Sequence, residues 1–141
     1  NKQGTPITDE VMNIQYNLAD VNVLPSLGEG FGLTVTEAGI CGVPTIGTEF
    51  AALIEVIGTN GFLIEPVAYL YSANGVKQAV INPKDLAKTI ILLLRDEPLR
   101  KKMGKQAQKF AMTLTPESRA KALLKIFEDT IKNDKKNMII K

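Results

Sequence analysis

The sequence predicts an α/β fold in which a Rossmann-like parallel sheet is flanked by helices. Three observations support this. Short apolar strands alternate with helical segments between residues 8 and 64, glycine and proline mark most of the boundaries, and the glycine-rich stretch 28–32 joins a strand to a helix. Ligands of such sheets lie at the carboxyl ends of the strands, which makes this stretch the first candidate for a functional site.

The first elements follow in order. Thr8 is a predicted N-cap, and apolar residues at helical spacing follow it. A short buried strand is predicted over residues 21–24. After the loop, residues 33–41 form a predicted helix that Gly42 ends.

The next elements complete the sheet and add helices. Residues 43–46 are the second predicted strand, with a polar turn at 47–49, a short helix over 51–57 and a third strand over 62–64. An inserted β-hairpin is predicted for residues 67–81, because Asn74-Gly75 is a strong hairpin-turn signal. Three C-terminal helices are predicted over 85–95, from Pro98, and from Pro116 with Thr115 as its cap. Residues 133–141 are a lysine-rich tail.

Composition excludes several kinds of chemistry. The 141 residues contain no histidine, which excludes a histidine general base and imidazole-ligated metals, and Cys41 as the single cysteine excludes an intrachain disulfide. The formal net charge of +2 is too small to indicate nucleic-acid binding. No apolar run reaches the ~18–20 residues of a membrane span, so a cytoplasmic location is expected. The first residue is not methionine, and we expect the sequence to be part of a longer chain.

The loop carries the residues with the clearest chemistry. Glycine at positions 30 and 32 lets the backbone approach a ligand closely, and the helix start after them presents N–H groups to a phosphate. Glu29 and Glu37 lie on either side, and carboxylates accept hydrogen bonds from sugar hydroxyls. The combination predicts a sugar nucleotide as ligand. Taken singly, Glu37 is an ordinary glutamate of a first helical turn and Glu29 a solvated loop residue.

The joint pattern resembles a known signature. Pro25-Ser26, Glu29-Gly30-Phe31-Gly32, Glu37-Ala38 and Gly42-Val43-Pro44 are similar to the donor site of family 4 retaining glycosyltransferases, which have the GT-B fold. The resemblance extends from about Thr8 to Met112. It implies that residues 1–132 are part of the C-terminal, nucleotide-sugar-binding domain of such an enzyme.

The resemblance implies a role for each residue of the loop and the helix start. Glu29, the implied catalytic residue, would hold hydroxyls of the transferred sugar, and Glu37 would bind the ribose. The donor sugar and the diphosphate would be bound by the backbone of five residues, Gly30, Phe31, Gly32, Leu33 and Thr34. No metal and no cofactor are expected beyond the nucleotide-diphosphate sugar, which is a co-substrate.

The resemblance also implies what lies outside this chain. The family uses an Arg and a Lys from upstream to neutralise the diphosphate, and an N-terminal GT-B region to bind the acceptor, a saccharide, a lipid-linked sugar or another molecule. We therefore expect weak donor binding and no useful turnover from the chain alone. Peripheral membrane contact through the basic run 100–109 is compatible with lipid acceptors. Two alternatives are a nucleotide-sugar 2-epimerase, which the absence of histidine disfavours, and a non-catalytic nucleotide-sugar-binding or assembly module.

Overall fold

The computed structural model describes the backbone of residues 7–139 and the side chains of residues 7–133. It divides after Ala111 into two compact units. The assignment of residues 1–132 to one nucleotide-sugar domain stays a prediction, and residues 1–6 of that range lie outside the described part.

A three-stranded parallel sheet forms the centre of the first unit. Its strands are β1 (Asn22–Leu24), β2 (Thr45–Thr48) and β3 (Phe62–Ile64), in the order β1-β2-β3. The described helices of this unit are α1 (Asp9–Leu18), α2 (Leu33–Ile40), α3 (Leu53–Ile57), α4 (Pro83–Arg95) and α5 (Glu97–Ala111). The predicted fold class, a parallel sheet flanked by helices, is confirmed.

The two faces of the sheet carry two hydrophobic clusters. Side chains alternate between the faces along a strand, so Ile46 and Gly47 of β2 point to opposite sides. Ile46 belongs to a cluster whose other buried members are Ile64, Ile81 and Leu93. The opposite face packs against Val35, Leu53, Val56 and Ile57, which come from α2 and α3. The loop that follows β1 is thus held on a sheet that is covered on both sides.

The predicted bounds of the second strand are wrong by two residues. β2 covers Thr45–Thr48, so the stretch predicted as a polar turn is partly strand. Gly47 is paired with Leu24 and Leu63, and Thr48 with Ile64. A Cβ at position 47 would come within 2.5 Å of the Ile57 side chain, so a glycine is needed where α3 covers the sheet. Local composition marks glycine and threonine as turn residues, whereas pairing with β3 places both inside the strand. Only the packing of α3 shows why position 47 is a glycine.

The inserted hairpin is present. Strands β4 (Pro66–Tyr71) and β5 (Lys77–Ile81) pair antiparallel, and the turn between them uses Gly75 at φ 80°. The Ala79 N–H also donates a hydrogen bond to the Leu27 carbonyl, at 2.7 Å. The hairpin is therefore bonded directly to the loop that carries the candidate site.

One residue of the basic run has a structural role. The Arg100 guanidinium donates to the carbonyls of Leu93 and Leu94, at 2.8 and 3.2 Å, and lies 3.2 Å from the Asp20 carboxylate. Its side chain satisfies the last carbonyl groups of α4, where a cation also interacts favourably with the helix dipole. Because its guanidinium is engaged in these contacts, Arg100 does not contribute a free cation to the predicted membrane contact.

The second unit consists mainly of α6 (Pro116–Ile139). The Thr115 hydroxyl accepts a hydrogen bond from the Ser118 N–H at 3.2 Å, which confirms the predicted cap. The backbone of the predicted tail is helical from residue 133 to Ile139, while residues 140–141 lie outside the described part. No helix in the described part of the chain is long and apolar enough to cross a membrane.

Candidate functional site

The glycine-rich loop leaves the carboxyl end of β1 and leads into α2. Gly32 is the N-cap of α2 and has φ 89°, in the left-handed region that disfavours other residues. A Cβ at this position would lie 3.1 Å from the Leu53 side chain. Gly30 differs, because a Cβ there would meet no atom within 4 Å. Gly32 therefore shapes the turn, whereas Gly30 leaves open space above the loop.

The start of α2 presents two backbone donors. The Val35 N–H donates to the Gly32 carbonyl at 2.9 Å, but the N–H groups of Leu33 and Thr34 donate in none of the hydrogen bonds between described residues. Unpaired N–H groups at a helix start carry partial positive charge and favour an anion. Leu33 and Thr34 are the first two residues of α2, and their implied role in binding the diphosphate stays a prediction.

Asn22 fixes this helix start to the sheet. Its side-chain amide donates to the Thr34 carbonyl at 3.3 Å and to the Thr45 hydroxyl at 3.0 Å. It links β1, β2 and α2 at one point. Sequence reasoning missed this residue, although an asparagine inside an otherwise apolar strand is a signal that could have identified it.

Glu29 lies in the loop with part of its carboxylate unpaired. Its Oε1 accepts a hydrogen bond from the Gly30 N–H at 3.1 Å, and its backbone carbonyl accepts from Ala52 at 3.4 Å. Oε2 has no hydrogen-bond partner among the residues the structure describes. Glu29 lines an open groove of about 440 Å³ together with Gly30, Phe50 and Lys77. Neutral hydroxyl groups in this groove would find an available acceptor.

The hairpin supplies the opposite wall of the groove. The rings of Phe50 and Tyr69 are in contact, with centroids 5.8 Å apart and planes at 56°. The Lys77 Nζ lies 3.8 Å from the Tyr69 ring centroid, within the range of a cation–π interaction. Sequence reasoning did not connect Lys77 with Glu29, because only the docking of the hairpin brings them to the same groove.

Glu37 lies further along α2 and has a partner on another helix. Its Oε2 accepts a hydrogen bond from the Tyr16 hydroxyl of α1 at 2.8 Å. Burial and the neighbouring Glu37 carboxylate raise the pKa of Tyr16 to about 12, so the phenol is protonated at neutral pH. Both residues line a recess of about 330 Å³ between α1 and α2.

The predicted site residues lie close together in the sequence, between Glu29 and Glu37, but they do not surround one cavity. Glu29 lines the groove beside the hairpin, and Glu37 lines the recess between α1 and α2; the two spaces have no lining residue in common. In the sequence, the start of α2 lies between Glu29 and Glu37. Phe31 is 44% exposed and does not belong to the core. This arrangement can receive an anion at the helix start and hydroxyl groups on either side of it.

The sheet, its flanking helices and the loop at the end of β1 define a Rossmann-like α/β protein. The profile of the family described as "Glycosyl transferases group 1" matches residues 6–110. The chain belongs to this family.

Several relatives are similar over most of the chain. An uncharacterized glycosyltransferase of Methanocaldococcus jannaschii is 31% identical over 128 residues, which is 89% of this chain and 32% of that protein. The N,N'-diacetylbacillosaminyl-diphospho-undecaprenol alpha-1,3-N-acetylgalactosaminyltransferase of Campylobacter jejuni is 34% identical, over 81% of this chain and 27% of its own length. The D-inositol 3-phosphate glycosyltransferase of Corynebacterium jeikeium is 31% identical, over 81% and 24%.

A solved structure shows the same fold. The sucrose-phosphate synthase of Thermosynechococcus elongatus superposes with a TM-score of 0.68 at 26% identity, covering 92% of this chain and 30% of that one. The predicted resemblance to GT-B glycosyltransferases is confirmed at the level of family and fold. The chain spans about a quarter to a third of the length of these relatives.

Proposed function

We propose that this chain is the donor-binding part of a retaining, family 4 glycosyltransferase that transfers a sugar from a nucleotide-diphosphate sugar to an acceptor. One observation carries the proposal: the unpaired N–H groups of Leu33 and Thr34 lie between two glutamates, each with a carboxylate oxygen unpaired in the described structure. Membership of the glycosyltransferase family supports it.

Each group in the site has a role in this proposal. The diphosphate lies at the start of α2, where the helix dipole and the two N–H groups stabilise its charge without a metal. Glu29 binds hydroxyls of the transferred sugar in the groove beside the hairpin, and the open space at Gly30 lets the sugar approach the backbone. Glu37 binds the ribose hydroxyls through its carboxylate.

Catalysis in this proposal requires more charge than the described site supplies. Departure of the nucleotide diphosphate places negative charge on the leaving group, and preorganised cations lower the barrier to that step. The upstream region implied by the family resemblance would provide them, together with the acceptor site. The C. jejuni relative is named for a diphospho-undecaprenol acceptor, which supports the lipid-linked acceptor among those that the resemblance implies. A cytoplasmic location and peripheral membrane contact stay predictions.

Calorimetric titration with UDP-, GDP- and ADP-sugars tests the donor-binding role. We expect one of the three to bind weakly and Glu37→Ala to reduce its affinity about 10- to 100-fold, which is the effect of losing a hydrogen bond to a charged group. Glu55→Ala is the matched control, because Glu55 is an exposed glutamate of α3 that lines neither the groove beside the hairpin nor the recess between α1 and α2. A folded chain that binds none of them, or an affinity that Glu37→Ala leaves unchanged, would contradict the proposal.

A further inference from the structure

The hydrogen bond between Tyr16 and Glu37 joins two helices at the candidate ribose position. The donor and acceptor oxygens are 2.8 Å apart, and the residues are 21 positions apart in sequence. This is the usual length for an O–H···O bond, and an ionised acceptor strengthens it. The raised pKa of Tyr16 keeps the phenol in its donating form throughout the neutral range.

The bond occupies only half of the carboxylate. Tyr16 donates to Oε2, whereas Oε1 of Glu37 has no hydrogen-bond partner within the described part of the chain. An ionised carboxylate accepts at both oxygens, so the Tyr16 bond leaves capacity for a ligand. The recess that both side chains line is about 330 Å³, at the lower end of the size range of small-molecule sites.

The consequence is an orienting effect. A glutamate side chain loses considerable rotamer freedom when it is held in one conformation. The Tyr16 hydroxyl holds Glu37 in that conformation before a ligand binds. Ligand binding is therefore not weakened by the entropy loss of ordering the Glu37 side chain. The apolar side chains of Met12 and Ile40 line the same recess.

We propose that Tyr16 is a positioning residue that orients the Glu37 carboxylate for the ribose diol of the nucleotide donor. This inference rests on the proposed function, because it assigns the ribose to the recess between α1 and α2. It adds a residue of α1 to a site otherwise formed by the loop and α2. A purely structural role, in which Tyr16 only ties α1 to α2, predicts a different outcome from the experiment below.

The experiment compares two ligands in four forms of the chain. The ligands are the nucleoside diphosphate that binds best and its 2′,3′-dideoxy counterpart. The forms are the unaltered chain, Tyr16→Phe, Glu37→Ala and the double variant. Tyr71→Phe is the control for removal of a tyrosine hydroxyl, because Tyr71 is 71% exposed on the hairpin and lines neither the groove nor the recess.

A positioning role predicts a selective loss. Tyr16→Phe lowers the affinity for the ribonucleotide about three- to tenfold, as expected for one hydrogen bond. It leaves the affinity for the dideoxy form unchanged, and it has no further effect in the Glu37→Ala background. Tyr16→Leu, which also lacks the hydroxyl, gives the same selective loss, and thermal melting confirms that each variant is folded.

The contrary outcomes separate the inference from the proposed function. An equal loss with both ligands, or an undiminished loss in the Glu37→Ala background, shows a structural role and overturns the inference. If Glu37→Ala weakens binding but Tyr16→Phe does not, the donor site stands and Tyr16 does not position it. If the unaltered chain binds no nucleotide, or Glu37→Ala has no effect, the proposed function itself fails.

Discussion

Replacing Gly32 with alanine is the sharpest test of how the loop is built. The residue has φ 89°, and an L side chain in the left-handed region costs roughly 1–2 kcal/mol. The new methyl would lie 3.1 Å from a Leu53 side-chain carbon and 3.3 Å from one of Val35, so both must shift. Overpacking of this kind adds about 1 kcal/mol or more. We expect Gly32→Ala to reduce the free energy of unfolding by about 2–3 kcal/mol, the sum of these two effects near their lower ends.

Gly30→Ala is the matched control in the same loop. A methyl group there meets no atom within 4 Å, so the free energy of unfolding should change by less than about 0.5 kcal/mol. The added methyl does project into the space reserved for the donor. Gly30→Ala should therefore weaken donor binding without weakening the fold.

Equilibrium urea unfolding, followed by circular dichroism, measures the difference. With a slope of about 2 kcal/mol per molar urea, Gly32→Ala should lower the midpoint by about 1 M or slightly more. The midpoint of Gly30→Ala should stay close to that of the unaltered chain. Equal midpoints for the two variants would refute the assignment of different roles to the two glycines.

Two further predictions concern a buried hydroxyl and a tyrosine. Thr48 is buried, and its Oγ1 has no hydrogen-bond partner among the described residues. Thr48→Val should therefore raise the free energy of unfolding by about 1 kcal/mol. A lower urea midpoint for Thr48→Val would contradict this prediction. Folding raises the pKa of Tyr16 from 10.0 to about 12, so its stabilising effect is complete below pH 10 and disappears as pH rises through 12. The urea midpoint should fall less steeply over this window in Tyr16→Phe than in the unaltered chain, and identical slopes would contradict the assigned shift.

Features that depend only on neighbouring residues could be predicted from the sequence. The alternation of strands and helices, the Thr8 cap and the hairpin turn at Asn74-Gly75 all follow from local patterns, and the structure has each of them. The loop signature also predicted the family, because its residues lie within one continuous stretch. Local backbone preferences and turn chemistry suffice for features of this kind.

Contacts between residues distant in sequence became visible only in the folded structure. It placed Thr48 inside β2, where composition had favoured a turn, because pairing with β3 outweighs local preference. It paired Tyr16 with Glu37, and it brought Lys77 of the hairpin to the groove of Glu29. These contacts depend on how helices and strands dock. The periodicity of a single element does not predict which side chains of other elements will pack against it.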